Sequence, residues 1–98
     1  MSAPVPPAFQ RLPASELEQR LRDAFPEATE LSVEDESARH AGHEGAKGGA
    51  GHFNVLIRSS RFAGLTPIAR HRLVYDAVAD WMPARIHALA IDARAEQP

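Results

Sequence analysis

The chain has 98 residues, 44% hydrophobic and 24% charged, with a formal net charge of −2 and no cysteine. That is the size of one domain with one small core and the composition of a soluble globular protein. It excludes disulfides and a membrane-spanning apolar run, and its net charge argues against indiscriminate nucleic-acid binding. The absence of thiols fits a reducing compartment and no signal-peptide core follows Met1, so a cytoplasmic location is expected.

Residues 1–13 carry Pro4, Pro6, Pro7 and Pro13 without an amphipathic period and read as a disordered tail. Ser15 is expected to open a helix, because Ser15 and Glu18 have capping-box spacing. Leu17, Leu21, Ala24 and Phe25 form its apolar stripe, and Pro26 stops it. Glu30 to Asp35 alternates, with Leu31 and Val33 inward, as a half-buried strand does. A loop with five glycines follows from Glu36 to Gly51, long enough to suggest a functional segment. His52 to Ser59 is the second strand; Phe53, Val55, Leu56 and Ile57 put apolar side chains on both faces, as a central strand requires.

The chain turns at Phe62-Ala63-Gly64. Thr66 can cap the next helix, with Pro67 at its first position, where a missing amide costs nothing. Ile68, His71, Val74, Tyr75, Val78, Trp81 and Met82 recur at helical spacing and predict a helix reaching about Met82. On that stripe His71 reads as a packed core histidine rather than a catalytic one. Ile86 to Ala93 is the third strand. The order α-β-β-α-β predicts an α/β (α+β) fold, with a three-stranded mixed sheet and both helices packed on one face. The second and third strands should be parallel across a right-handed crossover. One domain over residues 14–94 is expected, with a short tail at 95–98.

Charge is segregated. Acids dominate from Glu16 to Glu36, whereas no acid occurs between Gly45 and Tyr75. Lys47, Arg58, Arg61, Arg70 and Arg72 fall in that second stretch and suggest a docking face for an acidic protein or for nucleic acid. The competing reading is a mixed, solvated surface.

Three blocks of residues carry a family resemblance. They are Asp35-Glu36-Ser37-Ala38-Arg39-His40 followed, after the glycine loop, by His52-Phe53-Asn54-Val55; Ser59-Ser60-Arg61-Phe62-Ala63-Gly64 with Arg70-His71-Arg72-Leu73-Val74-Tyr75; and Ile86-His87-Ala88-Leu89-Ala90-Ile91. In this order the chain resembles the BolA family from about Leu17 to Ala93. The resemblance implies a fold similar to the class II KH domain. It also implies partnership with a monothiol glutaredoxin and a [2Fe–2S] cluster shared with it. Glutaredoxin and glutathione would supply the thiolates and the BolA-like partner an imidazole. His87 stands at the family's C-terminal ligand position. His40 matches the loop ligand position, with His43 as its competitor because this loop is longer than in several relatives. The chain departs from the family at its end, where many members continue to a tryptophan and this one stops at Pro98.

On residue chemistry alone a single histidine in an apolar strand is more often structural; the resemblance is what makes His87 a ligand. His52, at the start of the second strand, is ambiguous for the same reason as His71, between a catalytic-looking histidine and a packed one. A chain without cysteine cannot supply the thiolates that soft clusters prefer. His87 would therefore complete another molecule's site. No enzyme site emerges: Ser59-Ser60 has no adjacent base, His43-Glu44 lacks the second histidine of a zinc-protease helix, and no phosphate-binding loop motif occurs. Several BolA-like proteins are transcriptional regulators, so DNA binding through Arg58, Arg61, Arg70 and Arg72 is the alternative function. The free chain is expected to be a monomer or a weak homodimer, with no membrane partner.

Overall fold

The computed structural model describes residues 12–36 and 51–96. Helix α1 spans Ala14–Ala24, β1 Glu30–Asp35, β2 Gly51–Ser59, α2 Pro67–Ala77 and β3 Ile86–Ala95, with short 3-10 turns at Ser60–Phe62 and Ala79–Trp81. The expected element order and mixed sheet are both present. Strand β2 is central, antiparallel to β1 and parallel to β3.

The core follows from strand periodicity. Along β2, Gly51, Phe53, Val55, Ile57 and Ser59 are buried while the residues between them are exposed or half-buried. Only one face of the strand is therefore packed on the helices; of the expected second apolar face, Leu56 alone is apolar, and it is half-buried. Helix α1 contributes Leu17 and Leu21, one helical turn apart, with Phe25 just beyond them. Phe25 meets Phe62 at 5.5 Å between ring centroids. Leu12, Val74, Val78, Ile86 and Leu89 complete the cluster.

Helix α1 starts before the expected cap. Pro13 is the N-cap, in extended backbone and without a side-chain hydrogen bond, so Ser15 lies inside the first turn and the Ser15–Glu18 capping box is not formed. Leu12 is fully buried just ahead of Pro13, which draws the chain into the helix early and carries the packed domain past the tail boundary expected at residue 13. Strand β3 likewise runs on to Ala95. Thr66 does cap α2, accepting from the Ala69 amide at 3.2 Å, with Pro67 at the helix start. The turn before it uses Gly64 at φ +75°, a conformation that costs an L side chain energy.

Helix α2 differs from its expected course in length and phase. It ends at Ala77 instead of about Met82. Ile68 is 69% exposed and His71 is exposed as well, so His71 is not a core histidine. The face turned inward runs instead through Arg70, Leu73, Val74, Ala77 and Val78. Arg70 explains the difference, because it is a charged residue used as a structural one. Its guanidinium donates to the carbonyls of Leu65 (3.1 Å) and Ala93 (3.3 Å), while its stem takes a position that an apolar pattern assigns elsewhere. The Tyr75 hydroxyl donates to the Leu89 carbonyl at 3.0 Å. Two side chains of α2 thus bond two carbonyls of β3, which among the described strands pairs with β2 alone.

Candidate functional site at the histidine end of the sheet

The parallel pairing of β2 with β3 brings the starts of both strands together. Gly51 is opposite Ile86, but His52 is opposite Ala88, so β3 carries one extra residue at His87. This irregularity is a β-bulge. Regular alternation after buried Ile86 would turn Leu89 to solvent. The extra residue resets the phase: Ile86 and Leu89 are both buried, and His87 and Ala88 are both exposed. His87 is thus held on the exposed side of the strand by core anchors on either side.

Half-buried His52 is its neighbour, on the sheet face away from the helices. The two imidazole centroids are 5.1 Å apart and the rings are tilted by 46°. Gly51 permits the close packing at this corner. A Cβ there would stand 2.4 Å from Cε2 of buried Phe53, well inside contact distance.

The segment 37–50 leaves and rejoins the sheet at the same place. The Glu36 amide donates to the His52 carbonyl at 2.7 Å, and the Gly51 amide donates to the Arg85 carbonyl at 3.0 Å. The Glu36 carboxylate, itself buried, accepts from the Asn54 amide at 2.9 Å. Both ends of that segment are therefore fixed beside the histidine pair. His40, His43 and Lys47 belong to it and lie outside the described residues. Among the described residues, no three His, Cys, Asp or Glu side chains converge as a group that could hold a metal ion.

The arginines of the acid-free stretch do not form one open surface. Arg58 pairs with Glu30 at 3.2 Å across β1 and β2. Arg61 donates to the Ala24 carbonyl at 2.8 Å, lies 3.4 Å from Glu27 and covers the Phe25 ring. Arg70 ties α2 to β3. Arg72 is exposed and lines a shallow cavity of about 330 Å³ with Pro67, Ile68, His71, Tyr75 and Asp76. On the open face of the sheet, the Arg94 guanidinium hydrogen-bonds Asp92, holds its carboxyl below the usual carboxylate range and is itself held more firmly protonated. These contacts use the charges in holding the fold together, although exposed pairs of this kind stabilise it only slightly.

Of the sequence-predicted residues, the structure places His87 at an exposed and well-anchored position and disperses the arginines. It adds His52 as the partner of His87. The hint was there, since both histidines stand at strand starts, but only the parallel register turns that hint into a contact.

A family model described as BolA-like protein matches residues 21–97. BolA-like protein 1 of Homo sapiens is 41% identical over 78 residues, covering 80% of this chain and 57% of that protein. A Vibrio cholerae protein named DNA-binding transcriptional regulator BolA is 47% identical over 76 residues, covering 76% of this chain and 67% of that protein. SufE-like protein 1 of Arabidopsis thaliana, named as chloroplastic/mitochondrial, is 46% identical over 70 residues, 66% of this chain but only 19% of its own length. The solved BolA domain of that plant protein superposes with a TM-score of 0.73 at 38% identity, over 84% of this chain and 90% of the domain. The chain thus spans from about a fifth to about two thirds of the length of these curated relatives but nearly all of the solved domain.

Proposed function

The chain belongs to the BolA-like protein family, and from that premise we propose that it is an adaptor, not an enzyme, that binds a monothiol glutaredoxin and shares a [2Fe–2S] cluster with it through His87. The observation that carries the reading is the bulge in β3. It leaves the His87 imidazole exposed beside the two fixed ends of the 37–50 segment, which bears His40 and His43.

The residues present fit such a cluster as contributors, not as its sole owners. No thiolate is available in a chain without cysteine, so the soft ligands would come from glutaredoxin and glutathione. His87 would supply one imidazole, and His40 or His43 the loop ligand. When bound, a cluster with imidazole in place of thiolate has a raised reduction potential and a ligand that can protonate. Both properties suit transfer or iron and redox sensing better than storage. This chain's part is positional: Ile86 and Leu89 lock the strand on either side of the bulge, and the open side of His87 leaves room for a second protein. The proposed setting is the cytoplasm, in a family whose plant relatives include proteins named for organelles.

The test is visible absorption and circular dichroism of a reconstituted cluster-bearing monothiol glutaredoxin titrated with this protein. A new spectrum that saturates at one-to-one, and is lost in a folded His87→Ala variant, supports the reading.

DNA binding is the second reading, and the name of the Vibrio cholerae relative is what favours it. In this chain the function would have to rest on Arg72 and on segment 37–50 with Lys47, since Arg58, Arg61 and Arg70 have partners within the fold. Affinity for duplex DNA should then fall steeply with added salt, and Arg72→Ala should flatten that slope. Affinity indifferent to both would dismiss this reading.

A further inference from the structure

From the exposed face of α2 we infer that the free protein pairs with a second copy of itself, the two α2 helices lying antiparallel across a two-fold axis. The inference goes beyond the adaptor reading and does not rest on it.

Three observations meet on this face. Ile68, at 69% exposed, is the one large hydrophobic side chain left open among the described residues, and it lines a shallow groove of about 330 Å³ with His71, Arg72, Tyr75 and Asp76. Arg72 is the one described arginine without an acceptor; every other holds a carboxylate or a carbonyl oxygen. Asp76, one turn further on, does not pair with it among the described residues. With the cation on the N-terminal side, theirs is the weaker order for a pair within one helix. Asp76 also stands in the last turn of α2, where the helix dipole disfavours a negative charge and no basic residue offsets it.

The face is self-complementary. It carries His71 and Arg72 toward one end and Asp76 toward the other, with Tyr75 between. A second copy turned end over end about an axis level with Val74 sets Arg72 of each against Asp76 of the other, since both stand two residues from that centre. Each Arg72 gains an acceptor and each Asp76 a cation, the Tyr75 rings meet near the axis, and Ile68 is covered at either end. A parallel copy would set like charges side by side. Helix α2 has 11 residues, a face about 16 Å long. That is too short to bury the area of a permanent dimer, so the pairing is reversible, with a dissociation constant on the order of 100 µM. It also engages the arginine that the DNA reading needs, so dimer and DNA compete for one face.

The experiment is sedimentation equilibrium of the full chain from about 10 µM to about 1 mM, bracketing that constant. It is run on the wild type, on Arg72→Glu, on Asp76→Arg and on an equimolar mixture of the two variants. Each variant changes one exposed side chain, and circular dichroism checks its fold. A wild-type dimer, weakened at least about tenfold in each variant alone and restored in the mixture, is the expected result, because in a mixed pair opposite charges face each other again at both contacts. A wild type that stays monomeric throughout, a dimer unchanged in either variant, or a mixture no tighter than its components would overturn the pairing. If the wild type is monomeric and Arg72→Glu loses affinity for duplex DNA, the face belongs to nucleic acid and the dimer falls.

Discussion

The histidine end of the sheet and the arginine-bearing stretch from Arg58 to Arg72 both stand out in the sequence, and the fold treats them in opposite ways. Three of the four arginines in that stretch are put to structural use, and Arg72, which is exposed, is not. Arg58 bridges two strands, Arg61 seals the end of α1, and Arg70 reaches across to carbonyls of the second helix's own turn and of β3. His87 is held exposed at an irregularity that the core tolerates because Ile86 and Leu89 remain buried around it. A side chain with no work in the fold is free for work on a partner. The exposure of His87 is what its proposed role as a ligand rests on.

Substitutions can break or sharpen this contrast. The largest expected effect is at the corner that builds the histidine end. Gly51→Val would drive a Cβ into the Phe53 ring and should destabilise the fold by about 1–3 kcal/mol in urea unfolding. A neutral result would mean that the close approach of Gly51 does not shape the corner. Next comes Arg70→Ala, which removes two charge-assisted hydrogen bonds and a packed stem and should cost about 1–2 kcal/mol. If it changes DNA affinity and leaves the unfolding midpoint alone, the arginine stretch is functional after all and the contrast collapses.

A smaller effect concerns pH. The Arg20 hydrogen bond holds the Asp80 carboxyl below its ordinary value of 3.8. With the folded value depressed, the pair stabilises the protein above the ordinary value, and that contribution fades as pH falls through the lowered one. Asp80→Asn should therefore lower stability slightly at neutral pH, leave it unchanged well below the lowered value, and so flatten the acid-side slope of stability. The smallest effect is the most telling: His87→Ala should shift stability by less than about 0.5 kcal/mol, as expected of an exposed side chain outside the core. A large loss would make His87 structural.

Much of the fold is legible in the residues. The alternation from Glu30 to Asp35 marks β1 to its ends, the apolar run of β2 marks the central strand, and Thr66-Pro67 marks the start of α2. What was not legible has physical causes. Hydropathy scores Arg70 as a surface residue, so the stripe on α2 is read through Ile68 and His71, which the structure exposes. Ser15 satisfies a capping pattern, but burial of Leu12 moves the helix start to Pro13. The bulge at His87 and its contact with His52 depend on register between strands some thirty residues apart, which local spacing does not encode. The candidate ligand itself was named by resemblance; its exposure and its neighbour came from the fold.

The central claim is that His87 is a ligand offered to a partner, and the most direct measurement is the visible circular dichroism of a cluster-bearing monothiol glutaredoxin titrated with wild type and with His87→Ala. The account predicts a new spectrum saturating at one-to-one for wild type and none for a variant that is folded and as stable as wild type. The same spectrum from both proteins, or no change with folded wild type, would contradict it.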